Sequence, residues 1–262
     1  RLRMRAALLA LLLAGCALPV EGEFAGRPLA GRDPAATLVV IYNHGFSRER
    51  AGTYTPAVPP IIQRVTERNP DVVVFAQLRN EATLSSWDHS SYIESSVALF
   101  HRGLGVPLEN IILAGQSCGA WGSLQAAAFT YPALGGVIAL APTCHGRLPH
   151  SVTATIQRRN EIVQIAQRLR TPGVIFLYEG DAYYDLADWD GFEDYLSGRG
   201  RELMMLRVHR AQVLDVCPRC AGDSHAAYLG PGFAGAFYDS HVQPLIDRAR
   251  RQIRAGRPAI SP

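Results

Sequence analysis

The chain has 262 residues, of which 48% are hydrophobic and 19% charged, with a net charge of +3 at pH 7. This balance excludes a disordered chain and is typical of one globular domain with a full core. The 26 basic residues are all arginine, which excludes chemistry that needs a lysine amine, such as Schiff-base and P-loop catalysis. The basic run RARRQIR at 248–254 has the spacing of a solvated helix face, so no nucleic-acid partner is expected.

The chain begins with a targeting pattern. Basic RLRMR is followed by AALLALLLA, which is too short to span a bilayer, and then by Leu-Ala-Gly-Cys at 13–16. This pattern resembles a bacterial lipoprotein signal. The resemblance implies that residues 1–15 are removed and that Cys16 carries the lipid that anchors the domain to the membrane. Ala17 then favours the outer membrane of the cell envelope, whereas an ordinary secretory signal, cut a few residues later, would leave a periplasmic protein.

The rest of the chain is predicted as a linker, one domain and a tail. Residues 16–36 are rich in Gly and Pro and read as the linker, residues 37–256 as the domain, and residues 257–262 as the tail. Within the domain, apolar runs predict strands at 37–43, 71–78, 110–116, 135–142, 173–180 and 202–209. Amphipathic stretches between them predict helices near 56–68, 91–104, 119–130, 152–170, 190–198 and 234–254.

The predicted strands are apolar at nearly every position. Strands of this kind are buried on both faces, which is typical of a parallel sheet covered by helices. The alternation of strand and helix therefore predicts a single α/β domain with a mostly parallel central sheet and helices on both faces. Because ligands bind beyond the carboxyl ends of such strands, functional residues are expected directly after each strand.

A serine stands at such a position in the segment GQSCG, residues 115–119. Small neighbours suit a sharp turn from a strand into a helix that leaves Ser117 exposed at its apex. A serine hydroxyl needs a base to take its proton and an acid to orient that base. Asp181 follows the strand at 173–180, and His225 lies between the last predicted strand and the last helix.

The order Ser117, Asp181, His225, with the serine in a strand-turn-helix context, resembles the α/β-hydrolase family of serine esterases and dienelactone hydrolases. The resemblance implies a catalytic triad of these three residues. It also implies an oxyanion hole formed by the backbone N–H groups of Cys118 and of Phe46 in the segment His-Gly-Phe at 44–46. Two alternatives stay open: Asp185 as the acid, and His241, which the pattern places within a helix.

The other cysteines are expected to form disulfides, because an exported protein folds in an oxidising compartment. Four cysteines allow three pairings. We expect Cys217 to pair with Cys220 as a local staple. Cys118 and Cys144 should both lie at the carboxyl ends of neighbouring strands and form the second bridge. No metal or organic cofactor is expected.

These features predict an exported hydrolase that cleaves a small-molecule carboxylic ester through an acyl-enzyme. A peptidase, lactonase, thioesterase or acyltransferase could use the same triad, and a non-catalytic envelope lipoprotein could keep the fold as a binding module. Tyr183, Tyr184 and Trp189 follow the candidate acid and could form a wall of the pocket. The natural substrate, its acyl-chain length and the oligomeric state do not follow from the sequence.

Overall fold

The computed structural model describes residues 21–46, 53–54, 57–80, 86–197 and 202–256. The predicted signal at 1–15, the predicted lipidation site Cys16 and the predicted tail at 257–262 lie outside the described residues.

A central sheet organises the fold. Within the described residues it has seven strands in the order β1-β4-β2-β6-β7-β8-β9, and a separate antiparallel pair is formed by β3 and β5. Strand β1 is antiparallel to β4, and every other pair of neighbours in the large sheet is parallel. The strands are β1 Gly22–Ala25, β2 Val39–Asn43, β3 Thr53–Tyr54, β4 Val73–Gln77, β5 Arg79–Asn80, β6 Ile111–Gln116, β7 Gly136–Leu140, β8 Gly173–Tyr178 and β9 Leu203–Val208.

The sheet is covered on both faces. Every residue of β2, β4, β6, β7 and β8 is buried, and successive residues of a strand point to opposite faces. The predicted mostly parallel, two-sided sheet is therefore confirmed. The ends of the six predicted strands differ from the observed ends by no more than two residues.

The helices follow the predicted alternation with two differences. A helix over 210–216 was not predicted, and the predicted helices at 91–104, 119–130 and 234–254 each contain a π-helical turn, at Leu99–Gly103, Ala126–Thr130 and Tyr238–Val242. The helices are α1 Pro60–Arg68, α2 Ser86–Ala98, α3 Cys118–Gln125, α4 Val152–Arg168, α5 Asp190–Ser197, α6 Arg210–Val216, α7 Phe233–Phe237 and α8 Gln243–Ala255. No helix in the described ranges is both long and apolar enough to cross a bilayer.

The basic run at 248–254 lies on α8. Leu245, Ile246 and Ala249 are the buried residues of this helix. Arg248 pairs with Glu202 and Arg250 pairs with Asp71. The run is thus part of an amphipathic surface helix, as its spacing predicts.

The predicted linker at 16–36 requires a correction, because part of it belongs to the domain. Residues 22–25 form β1 at the edge of the sheet, paired with 74–77 of β4. The ring of Phe24 packs edge-on against Phe75 at 5.3 Å and against Phe100 at 6.5 Å. The Gly/Pro-rich composition of this segment concealed a strand whose one large apolar side chain is Phe24.

We expect Phe24→Ala to lower the free energy of unfolding by about 1–2 kcal/mol, because a partly buried aromatic ring loses its packing. Urea unfolding followed by circular dichroism measures the change. Val152→Ala is the control, since Val152 is 77% exposed whereas Phe24 is 39% exposed, and it should cost no more than about 0.5 kcal/mol. Equal unfolding midpoints for the two variants would mean that the Phe24 ring contributes nothing to the stability of the domain.

Candidate active site

The serine lies on a strained turn between β6 and α3. Ser117 has φ 53° and ψ −124°, a conformation that residues other than glycine rarely adopt. Its N–H donates to the Leu140 carbonyl at 3.0 Å, and its carbonyl accepts from the Trp121 N–H at 2.9 Å. Hydrogen bonds on both sides of the residue therefore hold the turn in place.

The two glycines of GQSCG allow the strand and the helix to approach each other. A Cβ on Gly115 would lie 2.5 Å from the Gly119 carbonyl carbon, and a Cβ on Gly119 would lie 2.1 Å from the Asn43 carbonyl oxygen. Both distances are far inside van der Waals contact and involve backbone atoms. Only glycine fits at these two positions, which explains their spacing around the serine.

The structure brings Ser117, His225 and Asp181 into one hydrogen-bonded chain. His225 Nε2 lies 2.9 Å from Ser117 Oγ, and His225 Nδ1 lies 2.7 Å from Asp181 Oδ2. An ionised carboxylate only accepts, so Nδ1 carries the hydrogen and Nε2 presents its lone pair to the serine hydroxyl. This is the arrangement that a general base requires.

The two alternatives named from the sequence are not part of this chain. Asp185 Oδ1 accepts from the Ala187 N–H at 3.0 Å and caps the short turn Leu186–Trp189. His241 lies in the π-helical turn at 238–242, where its Nδ1 faces Ser240 Oγ at 2.7 Å and the Phe237 carbonyl at 3.3 Å. Both residues have local structural partners.

The loops that carry the acid and the base are joined to each other. Asp181 is fully buried, and its Oδ1 accepts from the Tyr183 N–H at 2.8 Å. Asp223 Oδ1 accepts both from the His225 N–H at 3.0 Å and from the Ala182 N–H at 3.1 Å. One carboxylate oxygen of Asp223 thus fixes the separation of the two loops.

A second set of contacts holds the base loop to the sheet. Ser224 Oγ donates to the Glu179 carbonyl at 2.7 Å and lies 2.5 Å from Arg210 Nη1. The disulfide Cys217–Cys220 closes the start of the same loop. Position 225 is therefore attached to the end of β8 through Ser224 and to α6 through Arg210.

The predicted oxyanion loop at 44–46 lies directly beside the serine. A Cβ on Gly45 would be 2.6 Å from Ser117 Cβ, and the Gly45 N–H donates to Gln116 Oε1 at 3.2 Å. Cys118 is the first residue of α3, so its N–H has no acceptor within the helix and lies at the positive end of the helix dipole. Cys118 directly follows Ser117, and Gly45, the residue before Phe46, lies beside the serine.

The disulfide Cys118–Cys144 is present and ties the serine turn to the loop after β7. In that loop the Thr143 N–H donates to the Ser117 carbonyl at 3.4 Å. Thr143 Oγ1 accepts from Arg158 Nη1 at 2.8 Å. The turn is thereby braced by a covalent bond and by a hydrogen-bonded path into α4.

Arg158 is a fully buried cation beneath the site. Its Nε donates to Asp188 Oδ2 at 3.2 Å. Burial lowers the pKa of Arg158, and the neighbouring Asp188 carboxylate opposes that effect; an arginine nevertheless stays charged in a protein. Three aromatic rings face the guanidinium carbon within cation–π distance, Tyr184 at 5.3 Å, Trp121 at 5.4 Å and Trp189 at 5.7 Å.

A buried carboxylate lies on the same helix. Glu161 Oε2 accepts from Trp121 Nε1 at 2.8 Å, and His145 Nε2 lies 3.4 Å from the same oxygen. Burial alone would raise the pKa of Glu161, but the polar groups of His145, Gln157 and Trp121 together lower it. His145 therefore lies against Glu161 and outside the Ser117–His225–Asp181 chain.

Of the three aromatic residues expected near the pocket, Tyr183 lies at the site. Its ring centroid is 4.3 Å from that of His225, and the Arg147 guanidinium lies 5.6 Å from the Tyr183 ring. Tyr184 and Trp189 are instead buried in the core. Among the described residues, no group of three or more His, Cys, Asp or Glu side chains could hold a metal ion.

Comparison with known proteins adds evidence on the fold. No protein-family profile and no curated protein matches this chain. Among solved structures, the monoacylglycerol lipase of Paleococcus ferrophilus is similar with a TM-score of 0.55 at 11% identity, over 88% of this chain and 100% of that chain. Esterase PE8 is similar with a TM-score of 0.52 at 15% identity, over 74% of this chain and 90% of that chain.

A third similar structure is a puromycin-hydrolyzing peptidase of Mycobacterium tuberculosis, with a TM-score of 0.54 at 13% identity. The match covers 81% of this chain but only 34% of that chain. The chain has the α/β-hydrolase fold. Likeness at these identities establishes the fold alone, so the chemistry of this α/β-hydrolase fold has to be argued from its own residues.

Sequence reasoning missed several residues that support the site of this α/β-hydrolase fold. Gln116 precedes the serine in GQSCG, at a position that the pattern leaves variable. Nothing in the sequence indicates that it contacts both the loop at 44–46 and His225. In the sequence Arg158 is an ordinary arginine of a predicted helix. Its burial follows only from the packing of α4 against the rest of the domain. Asp223 lies two residues before His225, a spacing that suits a side chain capping the turn that follows. Of these supporting residues, Asp223 alone had a local sequence pattern that could have predicted its contact.

We expect Gly119→Ala to lower the free energy of unfolding by at least about 2 kcal/mol and to abolish any activity of the site, because the new methyl group meets the Asn43 carbonyl. Thermal unfolding and an esterase assay measure the two effects. Gly191→Ala in α5 is the matched control: its Cβ would meet nothing within 4 Å, so stability should be unchanged or about 0.5 kcal/mol higher. Native stability and activity in Gly119→Ala would contradict the proposed close contact.

Proposed function

We propose that this protein is a serine hydrolase that cleaves carboxylic esters of small molecules through an acyl-enzyme. The hydrogen-bonded chain from Ser117 Oγ through His225 to the buried Asp181 carboxylate is the observation that carries the proposal. Its place at the carboxyl ends of β6 and β8 is where this fold binds ligands. The similarity to esterase and lipase structures agrees with this chemistry.

In the first half of the reaction, Ser117 Oγ attacks the ester carbonyl while its proton passes to His225 Nε2. The carbonyl oxygen becomes an oxyanion, which the N–H groups of Cys118 and Phe46 stabilise. His225 then gives the proton to the departing alkoxide, so the alcohol leaves and the acyl group stays on Ser117. Asp181 holds the ring in the required tautomer and stabilises its charged form.

In the second half, a water molecule attacks the acyl carbon and gives a proton to His225. The same oxyanion donors stabilise the second tetrahedral intermediate. His225 returns the proton to Ser117 Oγ as the acyl–oxygen bond breaks. The carboxylic acid leaves and the hydroxyl is restored.

We expect Ser117→Ala, His225→Ala and Asp181→Asn each to lower kcat/KM by about 10⁴-fold. The assay is the hydrolysis of p-nitrophenyl esters of rising chain length, with a p-nitroanilide to measure amide cleavage. Fluorophosphonate should label the wild type and not Ser117→Ala.

Asp185→Asn is the control for the acid, because Asp185 lies close in sequence but caps a turn; its kcat/KM should stay within about 3-fold of the wild type. A larger loss in Asp185→Asn than in Asp181→Asn would reverse the assignment. A folded wild type that reacts with neither ester nor fluorophosphonate would favour a binding module. Faster cleavage of the anilide than of every ester would favour a peptidase.

We also propose that the protein is exported to the bacterial cell envelope and anchored by lipid on Cys16. The expected result is a mature N-terminal peptide that begins at Cys16 and carries acyl chains, detected by mass spectrometry after expression in a bacterial host. Cys16→Ser should move the protein from the membrane fraction to the soluble fraction. An unmodified peptide containing Cys16 would contradict the anchor and leave the hydrolase proposal untouched.

A further inference from the structure

The side chain of Gln116 contacts both parts of the proposed active site. Its Oε1 lies 3.2 Å from the Gly45 nitrogen in the oxyanion loop, and its Nε2 lies 3.3 Å from His225 Nε2. Gln116 is the last residue of β6 and only 6% exposed. It therefore reaches the loop and the base from a rigid position next to the nucleophile.

The orientation of this amide is fixed by its neighbours. A backbone N–H only donates, so the atom that faces Gly45 must be the accepting oxygen. The amide nitrogen then faces His225 Nε2, which presents a lone pair because Nδ1 carries its hydrogen toward Asp181. Turning the amide over would place two donors against each other at Gly45. In this orientation the Gly45 contact is satisfied, and at His225 Nε2 the Gln116 amide shares the single lone pair of the neutral imidazole with the Ser117 hydroxyl.

We propose that Gln116 is a positioning residue that couples the oxyanion loop to the catalytic base. This inference rests on the proposed serine-hydrolase function. Ser117 Oγ is the closer partner of His225 Nε2, at 2.9 Å against 3.3 Å for Gln116 Nε2. Gln116 therefore contacts the imidazole from one side and restrains its position. The serine remains the closer partner of the base.

The coupling matters because two events coincide in the transition state. The proton reaches His225 Nε2 while the negative charge builds on the oxygen that the loop must hold. A displacement of about 1 Å in either group can cost about 100-fold in rate. Before the proton moves, neutral His225 Nε2 accepts from Gln116 Nε2, so one side chain in contact with both groups limits their relative movement as the reaction begins.

The experiment compares Gln116→Met with Gln125→Met. Both glutamines are buried, and Gln125 lies on α3, where its Nε2 faces Glu161 at 3.4 Å, away from the base. We measure kcat and KM for p-nitrophenyl acetate, the inhibition constant of phenylboronic acid, and the thermal unfolding midpoint. Phenylboronic acid forms a tetrahedral adduct with an active serine and therefore reports on the transition-state geometry.

For Gln116→Met we expect kcat to fall about 10- to 100-fold, KM to change by less than about 3-fold, and phenylboronic acid to bind more weakly by a factor close to the loss in kcat/KM. Gln125→Met should keep kcat within about 2-fold of the wild type. Gln116→Asn keeps an amide but is one methylene shorter, so it cannot span both contacts and should reproduce the loss if the methionine variant does not fold.

A kcat for both folded Gln116 variants within about 3-fold of Gln125→Met would overturn the proposal, as would a loss of kcat with unchanged binding of phenylboronic acid. Failure of the underlying function gives a different result. In that case the folded wild type would neither hydrolyse p-nitrophenyl acetate nor react with fluorophosphonate.

Discussion

The close approach of α3 to the ends of β2 and β6 is the constraint on which the site depends. Gly119 lies against the Asn43 carbonyl and Gly115 lies against Gly119. The absence of two methyl groups lets the helix begin immediately after the strand, and this holds Ser117 at φ 53° above both elements. The strain of that conformation is small compared with the packing of a fully buried strand and helix, so the surrounding structure determines the position of the serine.

The segments around the serine, like the serine turn itself, are each held in place by several contacts. Asp223 joins the acid loop to the base loop, and the disulfide Cys118–Cys144 joins the serine turn to the loop after β7. Arg158 extends this support into α4. Burying its charge is costly, and the Asp188 carboxylate with the surrounding aromatic rings offsets that cost. Groups that are held in advance need little reorganisation when charge develops at the carbonyl, which is how electrostatic catalysis gains most of its effect.

Much of this arrangement could be predicted from the sequence, because the strands are uniformly apolar and the candidate residues directly follow them. Ser117 and Asp181 were located in this way. Strand β1 could not be predicted, since only pairing with a strand far along the chain makes Gly22–Ala25 extended. Gln116 and Arg158 are polar residues whose partners, Gly45 and Thr143, are distant in sequence. No local periodicity reports such contacts, and the same holds for α6, which has no amphipathic pattern of useful length.

The direction of β1 bears on how the domain would sit on a surface. Gly22 pairs with Gln77 at the carboxyl end of β4, and the Glu21 carbonyl accepts from the Leu78 N–H at 2.7 Å. The chain therefore enters the fold at the end of the sheet where the parallel strands finish, which is also the end that carries Ser117. Cys16 precedes Glu21 by five residues, which reach at most about 18 Å when fully extended. If Cys16 carries the proposed lipid, this length limits how far Glu21, at the end of the sheet that carries Ser117, can lie from the bilayer surface.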